Sequence, residues 1–61
     1  MNINKKLLED YLLTKRGKCS VTECYQKEYL VFAKYFEEDG TEVTDLTISL
    51  LDLISFVYSK I

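Results

Sequence analysis

The residues of this chain whose types and spacing come closest to a chemical site are carboxylates. Residues 37–45 contain five of them: Glu37, Glu38, Asp39, Glu42 and Asp45. Paired carboxylates perform general acid–base chemistry when burial separates their pKa values, whereas this segment is predicted to be a solvent-exposed hairpin tip. It also lacks the alternating Asp or Asn ligands and the terminal glutamate of a calcium loop. We therefore expect a charged surface here rather than a catalytic or metal site.

The two cysteines, Cys19 and Cys24, are the other candidates for chemistry. The chain has no histidine, so the usual activator of a nucleophilic cysteine and the commonest metal ligand are both missing. Two thiols are too few for a zinc site within one chain. Five residues apart on one strand, they are expected to point to opposite faces and not to bridge each other. These patterns predict a protein that is not an enzyme and that holds no cofactor or metal.

Length and composition limit the organisation of the chain. Its 61 residues are predicted to form a single domain spanning 1–61, and its 48% apolar and 30% charged residues are typical of a globular domain. No apolar stretch approaches the length of a membrane span, and no signal-peptide pattern is present, so the expected location is the cytoplasm. Ala, Gly, Arg and Pro together account for only four residues. A/T-rich codons produce such a bias, which favours a low-GC bacterium or one of its phages as the source.

Charge is divided unevenly along the chain. Residues 1–18 carry five basic and two acidic residues, a net charge of +3, whereas residues 19–61 carry three lysines and eight carboxylates, a net charge of −5. The overall charge of −2 argues against a nucleic-acid-binding protein, whose affinity depends on many contacts from Lys and Arg to phosphates. A basic partner is the more natural match for the acidic part.

Hydrophobic periodicity predicts a helix at each end. Residues 4–16 place Leu7, Leu8, Tyr11 and Leu12 on one stripe, with Asn4 as the N-cap and Gly17 after the last turn. The second helix is predicted at about residues 49–60, where apolar residues again recur at helical spacing. Ser49 followed by Asp52 resembles a capping box at its start.

The middle of the chain is rich in Val, Tyr, Phe and Thr, which favour strands. The predicted fold is therefore α+β: a small two-layer α-β-β-β-α domain with a three-stranded antiparallel meander. The alternative is a three-helix bundle, because Ser20 and Glu23 also form a capping box.

The predicted hairpin register divides the strands into two apolar faces. A two-residue loop at Asp39 and Gly40 pairs residues whose numbers sum to 79, including Lys34 with Asp45. One face then contains Tyr29, Val31, Ala33, Tyr35, Leu46 and Ile48, and the other contains Leu30, Phe32, Phe36 and Val43. A first turn at Gln26 and Lys27 adds Val21 and Tyr25 to the second face. Either both helices cover the first face and leave the second open, or one helix lies on each face.

The functional expectation follows from the open-face arrangement. An uncovered apolar face usually marks a protein interface, so the chain is predicted to be a small non-enzymatic protein-binding module. Its length and composition are similar in type to small phage or mobile-element proteins that inhibit one host protein. The expected contact residues are Tyr25, Leu30, Phe32, Phe36 and Val43, with Glu38, Asp39 and Glu42 as an acidic rim. The alternatives are a nucleic-acid-associated regulator that uses Lys5, Lys6, Lys15, Arg16 and Lys18, and a homodimer or other self-assembling subunit.

Overall fold

The computed structural model describes residues 3–60, which form two helices and one three-stranded antiparallel sheet. In chain order the elements are α1 (Lys5–Lys15), β1 (Cys19–Lys27), β2 (Leu30–Glu37), β3 (Glu42–Ser49) and α2 (Leu50–Ser59). The strands lie in the sheet in the order β1-β2-β3. The predicted α-β-β-β-α meander is confirmed, and the chain is not a three-helix bundle.

Local sequence signals determine both ends of α1. Asn4 is the N-cap, and its side-chain oxygen accepts a hydrogen bond from the backbone N–H of Leu7 at 2.8 Å. After the last turn, Gly17 has a φ of +118°, and its N–H donates to the carbonyl of Leu12 at 3.0 Å. Both features agree with the sequence prediction.

The start of α2 is stabilised differently from the prediction. Ser49 is the N-cap residue, but its side chain forms no capping hydrogen bond. Instead, the N–H of Leu50 donates to the carbonyl of Tyr29 at 2.8 Å, which ties the helix to the turn between β1 and β2. A tertiary contact therefore satisfies one helix-terminal donor, the N–H of Leu50, and the predicted side-chain cap from Ser49 is not formed.

Both hairpin turns differ from the predicted ones. The first turn is at Glu28 and Tyr29 instead of Gln26 and Lys27, and Glu28 adopts the left-handed region with a φ of +55°. In the second hairpin the N–H of Gly40 donates to the carbonyl of Glu37, and that of Glu37 to the carbonyl of Thr41. The loop therefore has three residues, 38–40, with Gly40 at a φ of +91°. Three-residue hairpin loops commonly end with a residue of positive φ, and glycine is favoured there because it adopts positive φ without steric strain.

Each edge strand carries one extra residue opposite Lys34 and Tyr35 of the central strand. On β1 the register shifts between Val21 and Glu23, and on β3 it shifts opposite the segment from Ala33 to Tyr35. Such β-bulges reverse the alternation of side chains on the strand beyond them. Val21 therefore lies on the same face as Tyr35, contrary to the prediction. Tyr29, which was predicted to lie on that face as well, is instead exposed in the first turn.

The core lies between one face of the sheet and both helices. The helices contribute Leu8, Leu12 and Leu53, and the sheet contributes Val21, Val31, Ala33, Tyr35 and Ile48. Between the helices, the rings of Tyr11 and Phe56 meet edge to face with centroids 5.5 Å apart. Of the two arrangements left open by the sequence, the structure has both helices on one face.

Helix α1 also protects an edge of the sheet. The side chain of Glu9 accepts a hydrogen bond from the backbone N–H of Val21 on β1 at 2.9 Å. Strand β1 is an edge strand, so this N–H has no neighbouring strand on its outer side. The contact also ties α1 to the sheet near the bulge.

Two leucines of α2 provide a matched test of the core. Leu53 is fully buried, whereas Leu51 is 69% exposed. We expect Leu53→Ala to lower the free energy of unfolding by about 2–5 kcal/mol, because it removes packed methyl groups and leaves a cavity. Leu51→Ala should change it by less than about 0.5 kcal/mol. Urea denaturation of both variants measures the difference, and equal losses would contradict this placement of the helix.

The hydroxyl of Tyr35 provides a second test. The side chain is fully buried, and its hydroxyl oxygen has no hydrogen-bond partner within residues 3–60. Burying an unpaired hydroxyl is unfavourable, so Tyr35→Phe should raise the free energy of unfolding by about 1 kcal/mol. The control Tyr58→Phe alters an exposed ring and should leave it unchanged. A destabilised Tyr35→Phe variant in urea denaturation would show that the hydroxyl is hydrogen-bonded in solution.

Candidate protein-binding face

The sheet face opposite the helices carries a cluster of partly exposed apolar side chains, here called the aromatic face. Its residues are Tyr25, Leu30, Phe32 and Phe36. Tyr25 is 61% exposed, Leu30 43% and Phe36 39%, while Phe32 is half-buried. Neither helix covers this face in the part of the chain that the structure describes, because the buried residues of both helices pack on the other side.

Strand pairing explains why these side chains lie together. Tyr25 and Phe32 are direct partners across β1 and β2, and their rings stack with centroids 5.2 Å apart and an angle of 24° between the planes. Phe36 and Leu30 project to the same side because they are an even number of residues away on β2. The stacked pair forms the centre of the face.

Val43 does not belong to this face, contrary to the prediction. The three-residue loop shifts the register by one residue as far as the bulge of β3, so Val43 pairs with Tyr35 and packs against the core, and beyond the bulge the predicted pairing is restored. A one-residue shift moves a side chain to the opposite face of a sheet. Glu42 takes the predicted place of Val43 and pairs with Phe36.

The other predicted acidic residues lie at one end of the sheet. Glu38 and Asp39 are exposed in the loop between β2 and β3. The backbone N–H of Thr41 donates to the Asp39 carboxylate at 2.9 Å and holds the pKa of Asp39 below its ordinary value. Of these three predicted rim residues, Glu42 lies beside the aromatic face, since its strand partner is Phe36.

Lys34 pairs with a different carboxylate from the one predicted. Its ammonium nitrogen lies 3.2 Å from the Glu23 carboxylate on β1, and the predicted pairing with Asp45 on β3 is not formed. The bulge on β3 places Thr44 and Asp45 together opposite Lys34, which disrupts a one-to-one pairing. Asp45 consequently takes part in no ion pair within residues 3–60.

A groove of about 240 Å³ lies on this side of the sheet, where the two bulges flank β2. Its lining includes the stacked rings, Lys34 and carboxylates from both edge strands: Glu23, Tyr25, Phe32, Lys34, Thr44 and Asp45, together with Ala33 and Leu46. The groove thus combines aromatic and acidic groups. Glu23 was not predicted to be part of this site, because its position depends on the bulge at Thr22.

Two further exposed apolar residues near the first turn were not predicted to be exposed. Tyr29, in the first turn, is 76% exposed, and Leu51 is exposed near the start of α2, which is tied to that turn by the Leu50–Tyr29 hydrogen bond. Leu51 lies outside the apolar stripe of its helix, a signal that the sequence does contain.

The two cysteines are placed differently from the prediction. Both are free and half-buried, and both lie on the core side of the sheet. The prediction that they point to opposite faces is wrong, because the bulge at Thr22 reverses the alternation between them. Partial burial raises the pKa of the Cys19 thiol, and the nearby Glu37 carboxylate adds to this effect. The reactive thiolate form of Cys19 is therefore scarce at neutral pH.

Two further properties bear on the class of site. Among residues 3–60, no three His, Cys, Asp or Glu side chains are grouped so that they could hold a metal ion. No helix within this range has the length and apolar character needed to cross a membrane. The basic residues Lys15, Arg16 and Lys18 are exposed at the end of α1, away from the centre of the aromatic face.

Comparison with known proteins found no matching family model, no similar curated protein and no similar solved structure.

The hydrogen bond to Asp39 predicts a pH dependence of stability. Because the pKa of Asp39 is lower in the folded state, ionised Asp39 stabilises the fold above the unfolded pKa of about 3.9. This contribution is lost as the pH falls through the folded pKa. We expect the urea midpoints of the wild type and Asp39→Ala to differ more at pH 6.5 than at pH 2. Glu38→Ala, an exposed neighbour in the same loop, is the control. An equal Asp39→Ala difference at both pH values would contradict the assignment.

Proposed function

We propose that this chain is a non-enzymatic protein-binding module that uses the aromatic face to occlude or recruit one protein partner. The observation that carries the proposal is the uncovered apolar face, centred on the stacked rings of Tyr25 and Phe32. Contiguous apolar side chains at a surface usually mark an interaction site. Aromatic side chains are the residues that most often dominate binding energy in such sites.

The electrostatics of the face support a basic partner. Glu42 lies beside Phe36, and Asp45 lines the groove without an ion pair among the described residues. Carboxylates at the rim steer a positively charged partner toward the apolar centre and oppose an acidic one. Together with the composition, this supports the narrower proposal of a phage or mobile-element protein that inhibits one host protein in the host cytoplasm.

Self-association is the main alternative occupant of the face. The molecule measures 30 × 24 × 14 Å, so one face of the sheet offers an area close to the lower limit for a stable interface. A second copy would also bring Glu23, Glu42 and Asp45 of each chain to the same interface, which adds like charges. These considerations support a different protein as the partner, and sedimentation at several concentrations distinguishes the two cases.

Affinity capture tests the proposal directly. The wild type is immobilised beside Phe32→Ser/Phe36→Ser, which removes two anchors of the face. The matched control Leu13→Ser/Tyr58→Ser removes exposed apolar side chains from the helical side. From a nuclease-treated lysate of a low-GC bacterium, we expect the wild type and the control to retain one protein. The face variant should bind it at least about 25-fold more weakly, since each of the two anchors contributes more than about 1 kcal/mol.

Three outcomes would contradict the proposal. If the folded face variant retains the same protein, the aromatic face is not the binding surface. Capture that disappears with nuclease would favour the regulator that uses the basic residues of α1. A wild type that sediments as a dimer and retains nothing would favour self-assembly through the face. Circular dichroism of each variant establishes that it is folded.

A further inference from the structure

The groove between the two bulges has a composition suited to one type of side chain. It combines a stacked aromatic pair with a carboxylate, Asp45, that has no ion-pair partner among residues 3–60. We propose that this groove binds the guanidinium group of an arginine side chain presented by the partner protein. The inference rests on the proposed function, and it identifies the chemistry by which the face recognises its partner.

The position of Lys34 leaves Asp45 available. Glu23 and Asp45 lie on the two edge strands, whose backbones are about 10 Å apart across β2. Lys34 is held 3.2 Å from Glu23, so its ammonium group is turned toward β1 and away from Asp45. One carboxylate of the groove is therefore neutralised by the chain itself, and the other is free to pair with a cation from outside.

The aromatic pair selects the kind of cation. A guanidinium group is planar and weakly hydrated, so it can lie on an aromatic ring while its N–H groups donate to a carboxylate. The two oxygens of a carboxylate accept such a donor pair in a bidentate arrangement. A lysine ammonium is more strongly hydrated and cannot form the bidentate contact, so we expect arginine to bind better than lysine.

The size of the groove agrees with a single side chain. At about 240 Å³ it lies below the range of roughly 300–1,000 Å³ that is typical of small-molecule sites. The loop carboxylates provide a less suitable site for the same cation. Asp39 already accepts the N–H of Thr41, and neither Glu38 nor Asp39 lines the groove with the stacked rings.

Three small probes test the proposal without knowledge of the partner: N-acetyl methylamides of arginine, of its neutral isostere citrulline, and of lysine. Each is titrated into the ¹⁵N-labelled chain, and backbone amide shifts are recorded. We expect the arginine probe to cause saturable shifts at Tyr25, Phe32 and Asp45, with a dissociation constant on the order of 1 mM or weaker for a single side chain. The lysine probe should bind more weakly, and citrulline should cause no saturable shift.

Two matched variants locate the carboxylate. Asp45→Asn should weaken arginine binding about tenfold, because it removes a hydrogen-bonded charge pair. Asp52→Asn removes an exposed carboxylate that lines a different groove on the helical side and should leave binding unchanged. The native dispersion of each spectrum confirms that the variant is folded.

The proposal is overturned by equal binding of citrulline, by an unchanged affinity of Asp45→Asn, by shifts confined to residues 37–39, or by the absence of saturable shifts. Its failure is distinguishable from failure of the proposed function. If Asp45→Asn retains the captured protein as well as the wild type does and Phe32→Ser/Phe36→Ser loses it, the aromatic face binds a partner without an arginine anchor.

Discussion

The two β-bulges on either side of Lys34 are the constraint on which the arrangement of the sheet depends. Each inserts one residue into an edge strand, so the side chains beyond it project to the other face. The bulges turn Val21 and Val43 toward the helices and make Cys24 share a face with Cys19. They also place Glu23 and Asp45 on either side of Lys34, so the feature that completes the core also forms the groove.

The exposure of apolar residues on the sheet follows from the placement of the two helices. Two short helices contribute three fully buried leucines, which pack over one face of the sheet. Because both helices pack on the same face, neither covers the other face within residues 3–60. The edge of β1 is instead protected by the Glu9 side chain, and the aromatic face stays partly exposed. Its exposure is thus a consequence of which side the helices occupy.

Charge and apolar surface act together on the aromatic face. Apolar rings alone would bind many partners weakly, whereas a carboxylate beside them restricts the partner to one that supplies a cation. The internal pair between Lys34 and Glu23 is exposed and contributes little to stability. The pair matters for recognition instead. Because Lys34 is paired with Glu23, the Asp45 carboxylate of the groove has no ion-pair partner among residues 3–60.

The sequence by itself determined the α-β-β-β-α order, the cap at Asn4 and the positive φ of Gly17 and Gly40. It also determined the pairing of Leu30–Ala33 with β3. These features depend on local propensity and on the period of the apolar residues. It also placed Tyr25, Phe32 and Phe36 on one face. Only the tertiary structure decided that both helices lie on the other face, that the first turn is at Glu28 and Tyr29, and that Val43 is part of the core. A bulge changes the face of a side chain by adding a single residue, and no local propensity marks that residue in the strand. The position of the extra residue is decided by how the whole sheet packs against the helices. That packing depends on contacts between segments that are distant in the sequence.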